Sequence, residues 1–227
     1  WNILCERLLD SFYVSCDETH TQVLKEDGRK AETKSWMWVR STPYGKNKIV
    51  IFDYDPHRSS DVAKKLLSEF KGFLQVDGFA SYNALEKNIE LIRIGCNMHG
   101  RRYFEKAMTT GAKPGQTLAQ VAMKFYERLY DHEEELRLLT IDDRNKLRQE
   151  IQVPIWNEFK KWADGNHSKV PPKSKIGEAF KYFRSEYQYL TGYLKDGRLE
   201  MDNGFAERAI RKFAIGRNNW MFADTES

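Results

Sequence analysis

No stretch of this chain approaches the roughly 18 consecutive apolar residues that a membrane-crossing helix needs, and no secretory signal peptide opens it. A soluble protein with no membrane partner is therefore expected. Cysteine is scarce. Cys5, Cys16 and Cys96 form an odd, widely spaced set, which argues against a disulfide framework and for a reducing, cytoplasmic setting. Cys96-x-x-His99 has half the look of a zinc motif, but no second close pair accompanies it, so zinc is not expected. Internal repeats and low-complexity tracts are absent. So is an initiator Met: the chain opens at Trp1, which we read as the start of a fragment cut from something longer.

What is present describes a folded globular protein. The 227 residues are 41% hydrophobic and 13% aromatic, enough to bury a substantial core. Net charge is +4, which permits a polyanionic partner without demanding one. Its distribution says more than its sum. The run ERAIRKFAIGRNNW carries Arg208, Arg211, Lys212 and Arg217 against the single acid Glu207, whereas DHEEELRLL is acidic. Basic charge gathered on particular segments is what a phosphate-binding face requires.

The first hundred residues read as strands alternating with helices. Residues 12–24, 34–40 and 48–54 have strand character, the last two separated by the turn-rich TPYGKN. A helix begins at Ser59 or Ser60 as N-cap, with Ala63, Leu66, Leu67 and Phe70 on one face. A strand over 73–76 runs into Asp77-Gly78, followed by a short helix around 82–85 and a strand over 91–96. Three early strands joined by short turns predict an antiparallel meander, and the later crossovers predict parallel neighbours. From His99 onward the period is helical. Thr140-x-x-Asp143 looks like a capping box, and a strand-like RLEM precedes a last helix capped by Asp202 or Asn203.

Three acids stand out by position. Asp17 interrupts an apolar strand, Asp77 ends another at a Gly turn, and Glu207 rides the final helix. Carboxylates clustered at strand ends repel one another, and hard divalent cations such as Mg²⁺ or Mn²⁺ resolve that repulsion. On spacing alone this signal is weak among 33 acids. Asp77 equally fits a type I′ or II turn, and Glu207 an i, i+4 pair with Arg211. Asp53 and Asp55 in FDYDP compete for a metal role.

The ordered series CDETHTQVL, SWMWVRSTPYGKNKIVIFDYDPHRS, LQVDGFASYNAL, IGCNMHGRRYFEKA, PPKSKIGEAFKYF and GRLEMDNGFAERAIRKFAIGRNNWMFA resembles the transposases of insertion-sequence family sixty-six, bacterial enzymes of the DDE type. The resemblance runs from about residue 12 to 223. It implies an RNase H-like α/β fold, a mixed five-stranded sheet flanked by helices and interrupted by an all-helical insertion. The core would occupy residues 1–104 and 196–227, the insertion 105–195. It also implies a triad of Asp17, Asp77 and Glu207 that is both catalytic and metal-binding, demoting Asp53 and Asp55. Two Mg²⁺ (or Mn²⁺) ions are then the cofactors, and DNA, as transposon ends and target, the partner, with a homo-oligomer forming on DNA.

His99, Arg101 and Arg102 in the shared CxxHxRR pattern are assigned to the scissile phosphate, the arginines on backbone oxygens, the alternative being a helix start with surface charges; Arg208, Arg211 and Lys212 are assigned to phosphates, the alternative being solvated helix charges. Arg217, Asn218 and Trp220 are assigned to a DNA end, with Trp220 either stacked on a base or in the core. Gly204 stands where the family commonly has Asn, and Lys212 where it has Pro. A nuclease that cuts without joining, and a catalytically inactive DNA-binding relic, stay open as alternatives.

Overall fold

β1 (Tyr13–Gln22), β2 (Lys34–Ser41) and β3 (Val50–Asp55) form the antiparallel meander, and β4 (Gly72–Gln75) and β5 (Leu91–Ile94) complete a sheet of order β3-β2-β1-β4-β5. β4 runs parallel to β1 with Ser15 opposite Gln75. This is a mixed five-stranded α/β sheet of the RNase H-like kind. The protein, seen as a computed structural model, is described over residues 1–109, 113, 115 and 117–225. It divides into two compact units, Trp1–Arg93 with Asn203–Ser227, and Ile94–Asp202.

In the first unit strand alternation builds two cores on the two sheet faces. Val14, Cys16, Trp38 and Ile51 face one way and bury against Val62, Ala63 and Leu67 of α2 (Ser60–Leu67), Tyr82 and Leu85 of a 3₁₀ helix (Ala80–Lys87), and Leu8 of α1 (Asn2–Leu9). Val39 faces the other way and packs on Ala206 and Ile210 of α8 (Gly204–Trp220). Ser59 is the N-cap of α2, its hydroxyl accepting from Val62 N at 3.5 Å. Gly72 is fixed by its place at the start of β4. Its φ is +128°, and a Cβ there would lie 2.6 Å from the Phe12 carbonyl oxygen.

The second unit is helical: α3 (Asn97–Lys106), α4 (Leu118–Leu136), α5 (Ile141–Leu147), α6 (Val153–Asn166) and α7 (Lys175–Leu190). An aromatic cluster of Phe104, Phe125, Trp156, Phe159 and Phe183 fills its core. A π-helical segment (Arg148–Gln152) joins α5 to α6 just before Pro154, whose missing N–H relaxes the ladder there. Among the described residues no helix is long and apolar enough to cross a membrane.

Some expectations need correcting. RLEM is not a strand but a turn. Leu199 and Met201 are buried alternately as a strand would bury them, yet no partner strand exists there among the described residues, and the Leu199 carbonyl instead accepts from Arg148 Nη2 at 2.9 Å. At Thr140 the cap is half-formed. Its hydroxyl accepts from Asp143 N at 3.2 Å and donates to the Asp143 carboxylate, whereas the reciprocal box belongs to Thr117 and Gln120. The unit boundaries fall at 93/94 and 202/203, where the family resemblance implies 104/105 and 195/196. α3 packs on α4 and α7, and residues 196–199 bind Arg148, which draws both segments into the helical unit.

Candidate active site

β1 delivers two acids in succession, and its alternation sends them to opposite faces. Asp17 pairs in register with Val39, so it lies on the α8 face. Its Oδ1 accepts from the Glu18 backbone N–H at 2.9 Å. Glu18 shares the face of Cys16, where the Tyr82 hydroxyl donates to Glu18 Oε2 at 2.5 Å and lies 3.5 Å from Cys16 Sγ.

The parallel register of β1 and β4, carried two residues past Ser15 and Gln75, sets Asp77 level with Asp17. Asp77 Oδ1 accepts from Phe79 N at 2.9 Å, and its carbonyl from Arg93 Nη2 at 3.1 Å. Buried Arg93 is in turn held by Asn83 at 2.6 Å and Glu86 at 3.2 Å. Asp77 does close a local turn, its Oδ1 reaching the backbone two residues on. Gly78, however, is not among the glycines of positive φ, so the turn is neither type I′ nor type II.

Glu207 occupies the first turn of α8, where the peptide dipoles favour a carboxylate. Asn203 holds the N-cap position but makes no side-chain cap bond. Its Nδ2 donates instead to the carbonyl of Cys16 at 2.7 Å, pinning the start of α8 to the residue before Asp17.

Both other acids act on Asp17. Burial pushes the Asp17 carboxyl up to about 8, and the charges of Glu18, Glu207 and Asp77 push the same way against the Glu18 N–H bond. Burial also raises Glu18, as does the charge of Asp77, while Tyr82 and Arg58 oppose the rise. Among the described residues no cation pairs with Asp17. Oxygen donors from three separate elements, whose charges oppose ionisation of Asp17, suit a hard divalent ion.

The competing acids are otherwise occupied. Asp53 forms a bidentate pair with buried Arg40 at 2.7 and 3.0 Å. Asp55 accepts from His57 N at 2.9 Å and lies 3.8 Å from Lys65.

The assigned DNA-binding residues divide between the units. On α8, Arg208, Arg211 and Lys212 form an exposed stripe. Arg217, assigned to a DNA end, is bonded within the fold. Its Nη1 donates to Thr19 Oγ1 at 3.0 Å and to the His20 carbonyl, tying the end of α8 to β1. Asn218 is exposed on the rim of a cleft of about 490 Å³ with His20, Lys34 and Arg217. Trp220 is not core. It is 40% exposed and packs edge-on against Phe213 at 5.5 Å. His99, Arg101 and Arg102 lie on α3 of the helical unit, Arg102 exposed and Arg101 5.7 Å from the Tyr130 ring. Sequence reasoning does not single out Glu18, Arg58, Tyr82 or Arg93. The one signal for them is the Asp17-Glu18 doublet, two adjacent acids that a strand must send to opposite faces.

The sequence profile of the Transposase IS66 family matches residues 1–227. Curated relatives include three uncharacterized proteins of Sinorhizobium fredii (strain NBRC 101917 / NGR234). Protein y4qI is 33% identical over 235 residues, taking in 98% of this chain and 43% of the relative. Protein y4hP is 29% identical over 207 residues (84% and 38%), and y4jD 27% identical over 220 residues (92% and 42%). The chain therefore spans less than half the length of each of these relatives. Matched from end to end by the family profile, the chain belongs to the IS66 family of transposases.

Proposed function

We propose that the chain is the catalytic domain of a DNA transposase that cuts DNA at transposon ends and joins the freed end to a target by phosphoryl transfer. What supports this reading is that the β1–β4 register sets Asp77 level with Asp17, that Asn203 anchors the start of the Glu207 helix at Cys16, and that the charges of Glu207 and Asp77 both raise the Asp17 carboxyl. Two divalent cations, Mg²⁺ or Mn²⁺, held by these three side chains would activate the attacking oxygen and stabilise the leaving one.

The chain's own contribution is placement and charge. The β1–β4 register levels Asp17 with Asp77, and the Asn203 bond to Cys16 fixes the helix bearing Glu207 against the same strand. Burial and the neighbouring acids favour the protonated form of Asp17, and cations held at the site would favour its carboxylate. Arg208, Arg211 and Lys212 are assigned to phosphate oxygens, as are His99, Arg101 and Arg102 on α3. No side chain forms a covalent intermediate, and the acting species is proposed to be an assembly on paired DNA ends.

Asp77→Asn and Glu207→Gln are each expected to lower end cleavage by at least about 10³-fold, the loss of transition-state stabilisation at a charged centre, with circular dichroism and DNA binding nearly unchanged. Full activity in either variant refutes the assignment. Incubating a pre-cleaved end with target plasmid tests the joining step. Joined products are expected, and cutting without joining would make the protein a nuclease.

A further inference from the structure

The two consecutive acids on β1 leave opposite faces of the strand, yet both lie within reach of the charge of Asp77, so alternation alone does not decide which of them serves a cation. We propose that Arg58 makes that choice: it locks Glu18 in an internal ion pair, keeps it out of the metal centre, and leaves Asp17 as the strand's only ligand. The inference rests on the metal-dependent reading above.

Both oxygens of Glu18 are engaged. Arg58 Nε donates to Oε1 at 2.7 Å, Nη2 lies 2.6 Å from the same oxygen, and Tyr82 holds Oε2 at 2.5 Å. Only 1% of the Glu18 side chain is exposed, so without Arg58 it would be a buried, uncompensated anion. Arg58 is itself fixed. Its guanidinium carbon sits 3.6 Å over the Phe79 ring and 4.9 Å over the Trp36 ring, with Nη2 4.0 Å from Asp77 Oδ2. An arginine held by two rings and a bidentate-capable acid is a built part of the site, not a mobile surface charge.

The charges then balance. Arg58 cancels Glu18 internally, and three carboxylates plus one phosphodiester match two divalent cations. Freed from Arg58, Glu18 would offer a fourth carboxylate beside Asp77 and draw cations away from the productive positions. Arg58 is thus a positioning residue, acting through Glu18.

The test measures Mn²⁺ binding by electron paramagnetic resonance, alongside end cleavage, in the wild-type chain, Arg58→Met, and the double variant Glu18→Gln/Arg58→Met. Removing a cation and releasing an anion next to the site is expected to tighten Mn²⁺ binding by at least about tenfold in Arg58→Met while cleavage falls at least about tenfold. With both partners neutral, the double variant is expected to return both readouts to within about threefold of wild type. A double variant as impaired as Arg58→Met overturns the inference, as does Arg58→Met with wild-type binding and cleavage. If Arg58→Met alone does not fold, the double variant decides: near-wild-type behaviour supports the lock, and loss of either readout overturns it. A wild-type chain that binds no Mn²⁺ at millimolar concentration overturns the metal-dependent reading and this inference together. Normal wild-type binding with no effect of Arg58 overturns this inference alone.

Discussion

An ionised Asp17 destabilises the fold that holds it. Its carboxyl stands near 8 in the folded chain against 3.8 when free, so between those values the native state binds a proton that the unfolded chain has lost. Stability of the metal-free protein should therefore fall as pH rises from about 4 to about 8. Asp17→Asn removes the charge, and thermal unfolding followed by circular dichroism should show the variant melting higher than wild type at pH 8. The gain should shrink towards pH 4, and end cleavage should be lost at any pH. A variant less stable than wild type at pH 8 contradicts this reading. Asp17 is legible in the sequence because a charge inside an apolar strand needs a reason. Glu18 is not, since one acid beside another reads as the same signal, and only the facing residues Arg58 and Tyr82, 40 and 64 positions away, separate their roles.

At the scale of elements, α8 takes the place of a missing strand. β4 pairs with β1 only as far as Ser15, and beyond it the β1 carbonyls pointing away from β2 are met from the C-terminal segment. Asn203 donates to Cys16, Arg217 to His20, and the backbone N–H of Ala223 to Gln22. Asn203→Ala should therefore cost about 1–3 kcal/mol, the desolvation of an orphaned buried carbonyl, measurable by urea denaturation. It should also lower cleavage by loosening Glu207 relative to Asp17. The exposed stripe on the same helix behaves differently. Replacing Arg208, Arg211 or Lys212 by Ala should leave the urea midpoint unchanged. For DNA binding, each replacement should reduce the slope of log K against log salt by about one, because one phosphate fewer is neutralised. Periodicity makes α8 and its basic face legible, but it cannot show that Arg217 turns inward. RLEM misleads for a related reason: its alternate burial comes from a guanidinium standing in for a neighbouring strand. Boundaries elsewhere shift by one or two residues, and α1 leaves no periodic signal strong enough to predict it.

The two units differ in how they hold together. In the helical unit a buried polar network stands beside the aromatic core: Arg148 pairs with Glu133, Gln152 donates to Glu133 at 3.0 Å, and the Tyr193 hydroxyl donates to Gln152 at 2.6 Å. Arg148 also binds the carbonyls of Tyr193, Asp196 and Leu199. Arg148→Met strands a buried carboxylate and should destabilise the unit by about 3–5 kcal/mol in urea denaturation. In the sequence, Glu133 looks like one more surface acid of DHEEELRLL, because burial of a single charge within an acidic run leaves no periodic trace. The interruption of the first unit is more visible. The gap between Asp77 and Glu207, together with the family resemblance, implies a core split by a helical segment. A crystal soaked in Mn²⁺ tests most directly whether Asp17, Asp77 and Glu207 share bound cations. Anomalous density bridging these three carboxylates, and absent from Asp77→Asn, is the expected result; a site empty at millimolar Mn²⁺, or Mn²⁺ bound only elsewhere, would contradict it.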